Sequence, residues 1–436
     1  MVKMKDSGIE WIGEIPASWE VIKGKYLFTQ RSSKGNKLSL TLLSPTQKYG
    51  VIPQSMYEEL TGMKPVKIDQ QKDLNLFKTI HKGDFCISLR SFEGGFEYSN
   101  YEGVVSPAYQ VFYLIDNNSI DTYYKYLFKD KTFIDKMNSY TMSLRDGKNI
   151  SFNDFGNTYI TVPPKSEQQQ IADYLDHKTA EIDGLIDKIN TEIDTLKQYQ
   201  SSVITQAVTK GLDLNVPMKD SGIEWIGEIP ETWKVPKLKH LLLEPMKYGA
   251  TESGVSYSDK LPRYIRITDI TLDGNLKDIG KLSLTEQQAK NYILDDKDIL
   301  FARSGATVGK TFFYRSFMGK SAFAGYLISA KIDEKKLDPK WVYYFTQTTS
   351  YMTWINNVFS QSTIQNISAE KYSNLPISMT YDIKEQRRIV DYLDNKVFQI
   401  KKIIKSKQQQ ITELTEYKNS LIFEYVTGKK QVKEAN

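Results

Sequence analysis

"MKDSGIEWIGEIP", residues Met4–Pro16, returns letter for letter at Met218–Pro230, half the chain length later. A second matching pair lies at a similar offset: "EQQQIADYLDHK" begins at Glu167, and "EQRRIVDYLDNK" begins at Glu385. Self-similarity at a fixed offset is typical of a repeated structural unit. The sequence therefore predicts two copies of one unit, each with a short leader, a long middle block and a helix.

The two middle blocks, in contrast, align only loosely with each other. A frame that repeats closely around contents that diverge suits a common scaffold holding two recognition modules of different specificity. Duplication followed by drift is the alternative, but drift alone should not spare the frame selectively. Because identical leaders cannot distinguish two different targets, we expect specificity to reside in the blocks.

Composition narrows the class of protein. A chain of 436 residues is too long for one core, and its net charge of +5 neither demands nor excludes an anionic partner. The single cysteine and three scattered histidines exclude a disulfide framework and a Cys/His zinc site, so we expect no metal. The sequence shows neither a signal peptide nor an apolar run of transmembrane length, so we expect a cytoplasmic protein.

Apolar residues recur in alternating steps of four and three through both repeated helix segments, which is a heptad pattern. The two seams are Leu175, Ile182, Ile186, Ile189, Ile193, Leu196 and Val203, and Leu393, Val397, Ile400, Ile404, Ile411, Leu414, Leu421 and Tyr425. Polar interruptions include Thr179, Lys407 and Lys418. Each segment would form roughly 60 Å of helix. We expect the helices to pair as an antiparallel coiled coil, because that lets a two-fold axis relate the units; the alternative is packing of each helix on its own block.

The fold prediction is α+β: two similar mixed α/β domains joined by two long helices with pseudo-two-fold organisation. Predicted bounds are 1–163 for the first leader and domain, 164–212 for the first helix, 213–380 for the second leader and domain, and 381–436 for the second helix. Within the blocks, "RYIRITDI" (263–270) alternates and is β-branched, which predicts a strand. "TYYKYLFKDKTFIDKM" (122–137) has helical spacing of aromatic residues.

One stretch of the second block favours contact with nucleic acid. Residues 299–332 contain arginine, lysine, aromatic residues and a Gly-rich turn but no carboxylate, which suits a phosphate backbone. "SQSTIQNIS" (360–368) and its counterpart "SLRDGKNIS" (143–151) carry side chains that can read base edges. The alternative is that each is a solvated polar loop. The predicted DNA-contacting residues are Arg90, Ser91, Arg145, Lys148, Asn149, Arg263, Arg303, Ser304, Lys310, Arg315, Lys320, Gln361 and Asn366.

Signatures of catalysis are missing. "GATVGKT" resembles a phosphate-binding loop, but Gly305 and Gly309 enclose three residues where that motif needs four, and Ser304 stands where its first glycine belongs. Nucleotide hydrolysis around Lys310 is therefore a weak alternative. There is no G-x-S-x-G motif and no Asn/Asp-Pro-Pro-aromatic motif of an adenine methyltransferase. The sequence indicates a binding protein that borrows its catalysis.

Together, the duplicated "GIEWIGEIP" leader with its following Trp19 and Trp233, the helix starts "PPKSEQQQIADYLD" and "IKEQRRIVDYLD", and the dissimilar blocks resemble the specificity subunits of type I restriction–modification enzymes. The resemblance covers essentially the whole chain. It implies two target recognition domains, each reading one half of a bipartite, asymmetric DNA site, and a helical spacer that sets the gap between the half-sites.

The resemblance also implies partners. The repeated leader and helix regions would dock two methyltransferase subunits, and restriction/translocase subunits would join them. S-adenosylmethionine, ATP and Mg would bind those partners, with no cofactor and no catalytic residue in this chain. We assign Trp11, Ile12, Trp225, Ile226, Tyr174 and Tyr392 either to docking of the methyltransferase or to the internal frame. The competing hypothesis is a coiled-coil scaffold that binds proteins without DNA specificity.

Overall fold

The computed structural model describes residues 3–34, 40–64, 76–87, 95–140, 150–213, 215–271, 274–360 and 366–432. The chain divides into two compact units: unit 1 holds Met1–Ile189 with Gln408–Asn436, and unit 2 holds Asn190–Lys407. In the described ranges, no helix is both long and apolar enough to cross a membrane.

The described strands of unit 1 are β1 (Met4–Asp6), β2 (Glu14–Pro16), β3 (Glu20–Lys23), β4 (Phe28–Gln30), β5 (Leu43–Thr46), β6 (Gly50–Pro53), β7 (Lys78–Ile80), β8 (Phe85–Ile87), β9 (Glu97–Tyr98), β10 (Gly103–Val105), β11 (Gln110–Leu114) and β12 (Tyr159–Val162). Its helices are α1 (Gly24–Leu27), α2 (Gln54–Thr61), α3 (Asp121–Leu127), α4 (Lys131–Ser139), α5 (Phe152–Asn157) and the first part of α6 (Lys165–Lys210).

The described strands of unit 2 are β13 (Met218–Asp220), β14 (Glu228–Pro230), β15 (Lys247–Tyr248), β16 (Val255–Ser256), β17 (Arg263–Ile265), β18 (Leu282–Ser283), β19 (Ile299–Ala302), β20 (Thr311–Phe313), β21 (Ser321–Phe323) and β22 (Leu327–Ala330). Its helices are α7 (Glu286–Ala289), α8 (Pro339–Phe345), α9 (Thr349–Ser360), α10 (Ala369–Ser373) and the first part of α11 (Ile383–Val426). The α+β fold class is confirmed.

The two identical leaders fold into identical hairpins. β1 pairs with β2, and β13 pairs with β14, in the same antiparallel register. In each hairpin a glycine with positive φ, Gly8 or Gly222, donates its N–H to the preceding aspartate, Asp6 or Asp220, at 3.0 Å. The identical residues therefore specify the same local structure twice, because the turn depends on the sequence of the leader itself.

Each unit is built around a four-stranded antiparallel sheet of the same design. The strand order is β4-β11-β8-β9 in unit 1 and β15-β22-β19-β20 in unit 2. In unit 1, Phe28, Phe85 and Phe112 pack ring against ring beside this sheet, with centroids 5.4–5.8 Å apart. Unit 2 carries a second four-stranded sheet, β16-β18-β17-β21, in which β17 runs parallel to β21. The common sheet is therefore elaborated differently in each unit.

One sequence prediction of local structure needs correction, and a second is confirmed with a break in the helix. The predicted strand 263–270 ends at Ile265, and Ile267–Asp269 forms a short 3-10 turn instead. The Asp269 carboxylate accepts hydrogen bonds from the backbone and guanidinium of Arg266, which favours the turn over a continued strand. The helical segment 122–137 is two helices, α3 and α4. Asp130 separates them, because its side chain accepts the backbone N–H groups of Thr132 and Phe133 and so begins a new helix.

The predicted antiparallel coiled coil is confirmed within each unit. In unit 1, the start of α6 lies beside the end of α11, and the rings of Tyr174 and Tyr425 are 4.6 Å apart. In unit 2, Ile204 and Val208 from the end of α6 share a core with Ile389 and Leu393 from the start of α11. Each helix also packs on the block that precedes it. Helix pairing and packing on the block, which were predicted as alternatives, therefore occur together.

The repeated motif at the start of each helix has a structural explanation. Gln168 accepts the Ile120 N–H, and Gln386 accepts the Asp338 N–H, at 2.8 and 2.9 Å. Eight residues further along each helix, Asp176 accepts the Tyr126 hydroxyl at 2.5 Å and Asp394 accepts the Tyr344 hydroxyl at 2.6 Å. The repeated glutamine and aspartate thus form the same hydrogen bonds between each long helix and the block that precedes it.

Candidate nucleic-acid interface

The sequence-predicted contact residues divide by position. Arg90, Ser91, Arg145, Lys148, Asn149 and Gln361 lie outside the described residues. Arg263, Arg303, Ser304, Lys310, Arg315, Lys320 and Asn366 are described, and all belong to unit 2. The geometry that follows therefore concerns unit 2.

The loop that follows β19 is fixed between two other segments of the unit. The Arg303 N–H donates to Tyr326 O at 3.0 Å, and the Ile367 N–H donates to Arg303 O at 2.8 Å. Ser304 forms a β-bridge with Asn366. The adjacent residues Arg303 and Ser304 therefore lie beside Asn366, which is distant in sequence, and backbone hydrogen bonds join the two segments.

The side chain of Arg303 extends over an aromatic ring. Its guanidinium carbon lies 4.8 Å from the centroid of Tyr248, and its Nε donates to Asn366 Oδ1 at 3.4 Å. Tyr248 and Tyr326 are both exposed on this surface. Arginine, tyrosine and asparagine provide a cation, stacking faces and a base-reading amide, which are the groups a nucleic-acid surface needs.

Sequence reasoning missed the two tyrosines at this site. Tyr326 lies inside the carboxylate-free stretch, where its exposure could not be known in advance. Tyr248 lies in another part of the sequence and reaches Arg303 because β15 and β19 both pair with β22. The richness of the chain in tyrosine was the available signal, and it does not identify individual residues.

The Gly-rich turn is a hairpin connection and not a phosphate-binding loop. It joins β19 to β20, whereas a phosphate-binding loop opens a helix after its strand. The N–H groups of Val308, Gly309 and Lys310 donate to Gly305 O, Ala302 O and Thr307 O. Because these amides are already bonded internally, they are not available to surround a phosphate. The geometry argues against the hydrolase alternative.

Residues 299–332 contain no carboxylate, but carboxylates from other parts of unit 2 lie next to their cationic side chains. Arg315 pairs with Asp296 at 3.0 Å, Lys320 with Glu286 at 2.5 Å, and Lys331 with Asp295 at 2.5 Å. Of the five cationic residues in 299–332, Arg303 and Lys310 have no ion pair with any described residue. The cationic surface predicted for the whole stretch is therefore concentrated at these two residues.

Arg263 has a different local role. Its Nη2 donates to Lys277 O at 2.6 Å, and its buried Nε has no hydrogen-bond partner among the described residues. The guanidinium therefore holds the backbone of the turn that contains Lys277.

The residues assigned to docking or frame pack into their own units. Ile12 and Ile226 are buried, and Trp11 contacts the ring of Phe133 with centroids 6.0 Å apart. Trp225 and Tyr392 pack on the core of unit 2, and Tyr174 packs on that of unit 1. These contacts support the frame role; docking stays a prediction.

One buried tryptophan joins each leader to the long helix of its unit. The Trp19 Nε1–H donates to Glu167 at 2.9 Å, and the Trp233 Nε1–H donates to Glu385 at 3.3 Å. In both leaders the acidic side chains stay on the surface, at Asp6, Glu10 and Glu14 and at Asp220, Glu224 and Glu228. Within the described residues, no group of three or more His, Cys, Asp or Glu side chains could hold a metal ion.

Comparison with known proteins agrees with this architecture. The chain is 23% identical over 461 aligned residues to the specificity subunit of the type I restriction enzyme MjaVIII of Methanocaldococcus jannaschii, covering 97% of this chain and 95% of that one. A second specificity subunit of that organism, provisionally assigned to the enzyme MjaX, is 25% identical and covers 97% of this chain and 96% of its own.

A solved structure shares the fold. It comes from work on complex assembly and conformational transition of the type I R-M system; it aligns with a TM-score of 0.67 and 15% identity, over 94% of this chain and 98% of that one. The family model for the type I restriction modification DNA specificity domain matches residues 16–195 and 226–414, one match for each repeat. The chain therefore belongs to the type I restriction–modification DNA specificity family.

Proposed function

We propose that this chain is the DNA-reading subunit of a type I restriction–modification complex. It recognises a bipartite, asymmetric site, with one half-site bound by each unit. The observation that carries this proposal is the pairing of identical frames with different contents. The hairpin register and the attachments of each long helix through its glutamine and aspartate repeat in both units. Unit 2, in contrast, has a β16-β18-β17-β21 sheet with no counterpart of the same order among the described strands of unit 1.

The surface around Arg303 supports DNA as the target. The Arg303 guanidinium has no carboxylate partner in the part of the chain that the structure describes, and it lies over the exposed ring of Tyr248 with the Asn366 amide beside it. This arrangement suits a contact with both phosphates and base edges. Base contacts discriminate between sequences, whereas phosphate contacts supply most of the affinity and make it depend on salt.

The repeated leaders suit two copies of one partner. Each hairpin exposes the same three carboxylates, so a basic surface that fits one leader also fits the other. We propose that two adenine methyltransferase subunits bind in this way and that restriction/translocase subunits join them. S-adenosylmethionine, ATP and Mg would bind those partners, and the chain itself would contribute no catalysis. A cytoplasmic location belongs to the same proposal.

The decisive experiment is to map methylated adenines in cells that express this chain with its methyltransferase partner. We expect one bipartite motif with a constant gap. Replacing residues 231–380 by the corresponding block of a relative should change one half-site and leave the other. A change in both half-sites, or methylation without a motif, would contradict the modular reading.

The helices test the proposed gap. Inserting one heptad at facing positions of α6 and α11 keeps the seam in phase. We expect the gap between half-sites to lengthen while both half-sites stay the same. An unchanged gap would show that the helices do not set it.

The scaffold hypothesis predicts different results. A protein-binding coiled coil would assemble with its partners but would show neither salt-dependent DNA binding nor a methylation motif. The hydrolase hypothesis predicts that Lys310→Ala abolishes ATP binding by the isolated chain. We expect the isolated chain to bind no ATP before or after that substitution.

A further inference from the structure

A turn in unit 2 exposes an isoleucine almost completely. Ile279 is 91% exposed, the highest fraction among the large apolar side chains of the described residues. It precedes Gly280, whose φ of +72° allows the chain to turn sharply. A single apolar residue on a loose surface loop would need no explanation. This turn, residues 277–280, is not loose.

Two arginines from β17 and the residue after it hold both ends of the turn. The Arg263 Nη2 donates to Lys277 O at 2.6 Å, and the Arg266 Nη2 donates to Gly280 O at 2.8 Å. Arg266 is itself fixed by Asp269, through Nη2 at 2.8 Å and Nε at 3.1 Å. The Lys277 N–H donates to Asp269 O at 2.8 Å. The isoleucine is therefore held outward by a rigid support.

The surroundings of the turn are cationic. Among the described residues, Arg263, Arg266, Lys277 and Lys281 lie in or beside it, against the carboxylates Asp269, Asp278 and Asp259, the last of which accepts the Tyr257 hydroxyl. Asp278 pairs with Lys281 at 2.8 Å, and Lys281 lies 5.2 Å from the ring centroid of Tyr257. The Lys277 ammonium has no partner among the described residues. Duplex DNA fits such a turn, because its phosphates can contact the cationic side chains while its stacked bases can contact the apolar Ile279.

Two consecutive residues, Ala324 and Gly325, link the support of the turn to Arg303. Ala324 N–H donates to Ile265 O at 3.0 Å, directly before Arg266. The next residue, Gly325, accepts a hydrogen bond from Arg303 Nη1 at 3.5 Å. The support of the turn and the Arg303 side chain are therefore hydrogen-bonded to adjacent residues of the chain.

We propose that turn 277–280 is a second DNA-contact element, which presses Ile279 between base pairs from the minor groove while Lys277 contacts the backbone. The proposal rests on the proposed function. Apolar wedges of this kind, isoleucine included, partly unstack a base step and bend the duplex. Contact with a thymine methyl group in the major groove is the competing reading. It is less favoured because the turn offers no free amide or guanidinium beside Ile279 to read the neighbouring base edges.

The test uses the full chain with its methyltransferase partner and a duplex carrying the mapped site. 2-Aminopurine is placed at successive positions of the half-site read by unit 2, and its fluorescence reports unstacking. We expect one step to brighten on binding, Ile279→Ala to remove that signal and weaken binding by about tenfold, and Ile279→Phe to keep the signal.

Phe317→Ala is the matched control. Phe317 is also an exposed apolar residue of unit 2, but its neighbour Arg315 is ion-paired with Asp296. We expect this variant to leave both the fluorescence and the affinity unchanged.

Three results would overturn the proposal. In the first, the unaltered complex binds the site but brightens at no step. In the second, Ile279→Ala changes only discrimination at one thymine, which indicates a methyl contact. In the third, Ile279→Ala weakens assembly with the methyltransferase and leaves DNA unstacking intact, which indicates a protein contact. Failure of the unaltered complex to bind the site at all would refute the proposed function itself, so the two failures are distinguishable.

Discussion

Lys418 of α11 donates hydrogen bonds to both carboxylate oxygens of Asp183 on α6, at 2.7 and 2.6 Å. Lys407, the other lysine that interrupts the apolar seam of α11, pairs with one carboxylate oxygen of Glu192 on α6. Polar residues at seam positions of coiled coils select one register and partner orientation at some cost in stability. The two pairs give the antiparallel helices a register that apolar contacts alone would leave less defined.

The first prediction concerns this register. Lys418→Glu should place two carboxylates opposite each other and so lower the melting temperature. The free energy of unfolding should fall by only about 1 kcal/mol, because the pair is partly exposed. The double variant Lys418→Glu with Asp183→Lys should recover most of the loss in a thermal melt. A double variant no more stable than the single one would mean that the pair does not set the register.

The second prediction concerns equivalent aspartates with opposite surroundings. Asp84 precedes β8 and accepts the Arg31 guanidinium at 2.6 and 2.8 Å, whereas Asp298 precedes β19 with a buried Oδ1 that has no partner among the described residues. Burial raises the pKa of the Asp298 carboxyl to about 6. Between about pH 4 and 6 the folded state therefore holds more protons than the unfolded state, so the free energy of unfolding falls as pH rises through that window.

Asp298→Asn removes this charge and keeps an oxygen for the Asp295 N–H, which Asp298 accepts at 2.9 Å. We expect it to raise the free energy of unfolding by about 1–2 kcal/mol at pH 7.5, and by little at pH 4. Asp84→Asn should instead destabilise unit 1 by about 2–3 kcal/mol, because it leaves a mostly buried guanidinium without its counterion. Denaturant unfolding at both pH values measures the difference; equal effects at the two positions would refute this account.

The third prediction concerns the end of α11. Gly428 has a φ of +71°, and a Cβ there would lie 2.3 Å from Pro16 Cδ. Gly428→Ala should therefore combine backbone strain with a clash and cost about 3 kcal/mol. Gly222→Ala is the control, because Gly222 has a φ of +74° and open space around its Cα, so about 1 kcal/mol is expected. Thermal melts that rank the two variants in the reverse order would contradict the close packing of this helix end on the first leader.

The fourth prediction compares Arg303, which has no ion pair among the described residues, with Lys320, which has one. Arg303→Ala should weaken binding of the complex to its site by about 10- to 100-fold and relax sequence preference in the half-site of unit 2. Lys320→Ala should change the affinity by less than about threefold, because Lys320 is held by Glu286 at the surface. Competition binding with sites altered in one half at a time measures both effects. Equal losses for the two variants would place the contact surface elsewhere.

Several features of the protein were predictable from its residues. The repeated leader and the heptads are local patterns, and each specifies a local structure. The two-unit α+β fold and the antiparallel helix pair followed from these patterns, because a narrow apolar stripe has to be buried against another one.

The candidate site was predictable only in part. The choice of Arg303, Ser304 and Asn366 rested on residue type, and the fold brings these three together. The breadth of the cationic surface was not predictable, because the partners of Arg315 and Lys320 come from Asp296 and Glu286 on other strands and loops.

That the chain is built twice on one frame can be read from its residues, since the frame is repeated in nearly identical sequence. Which charges of the described residues lack a partner, that Tyr248 lies under Arg303, and that two arginines hold Ile279 outward depend on the folded chain. The physical reason is the range of the interactions. Turns, caps and heptads are decided by neighbours along the chain, whereas ion pairs and exposure are decided by residues that meet only after the sheets have formed.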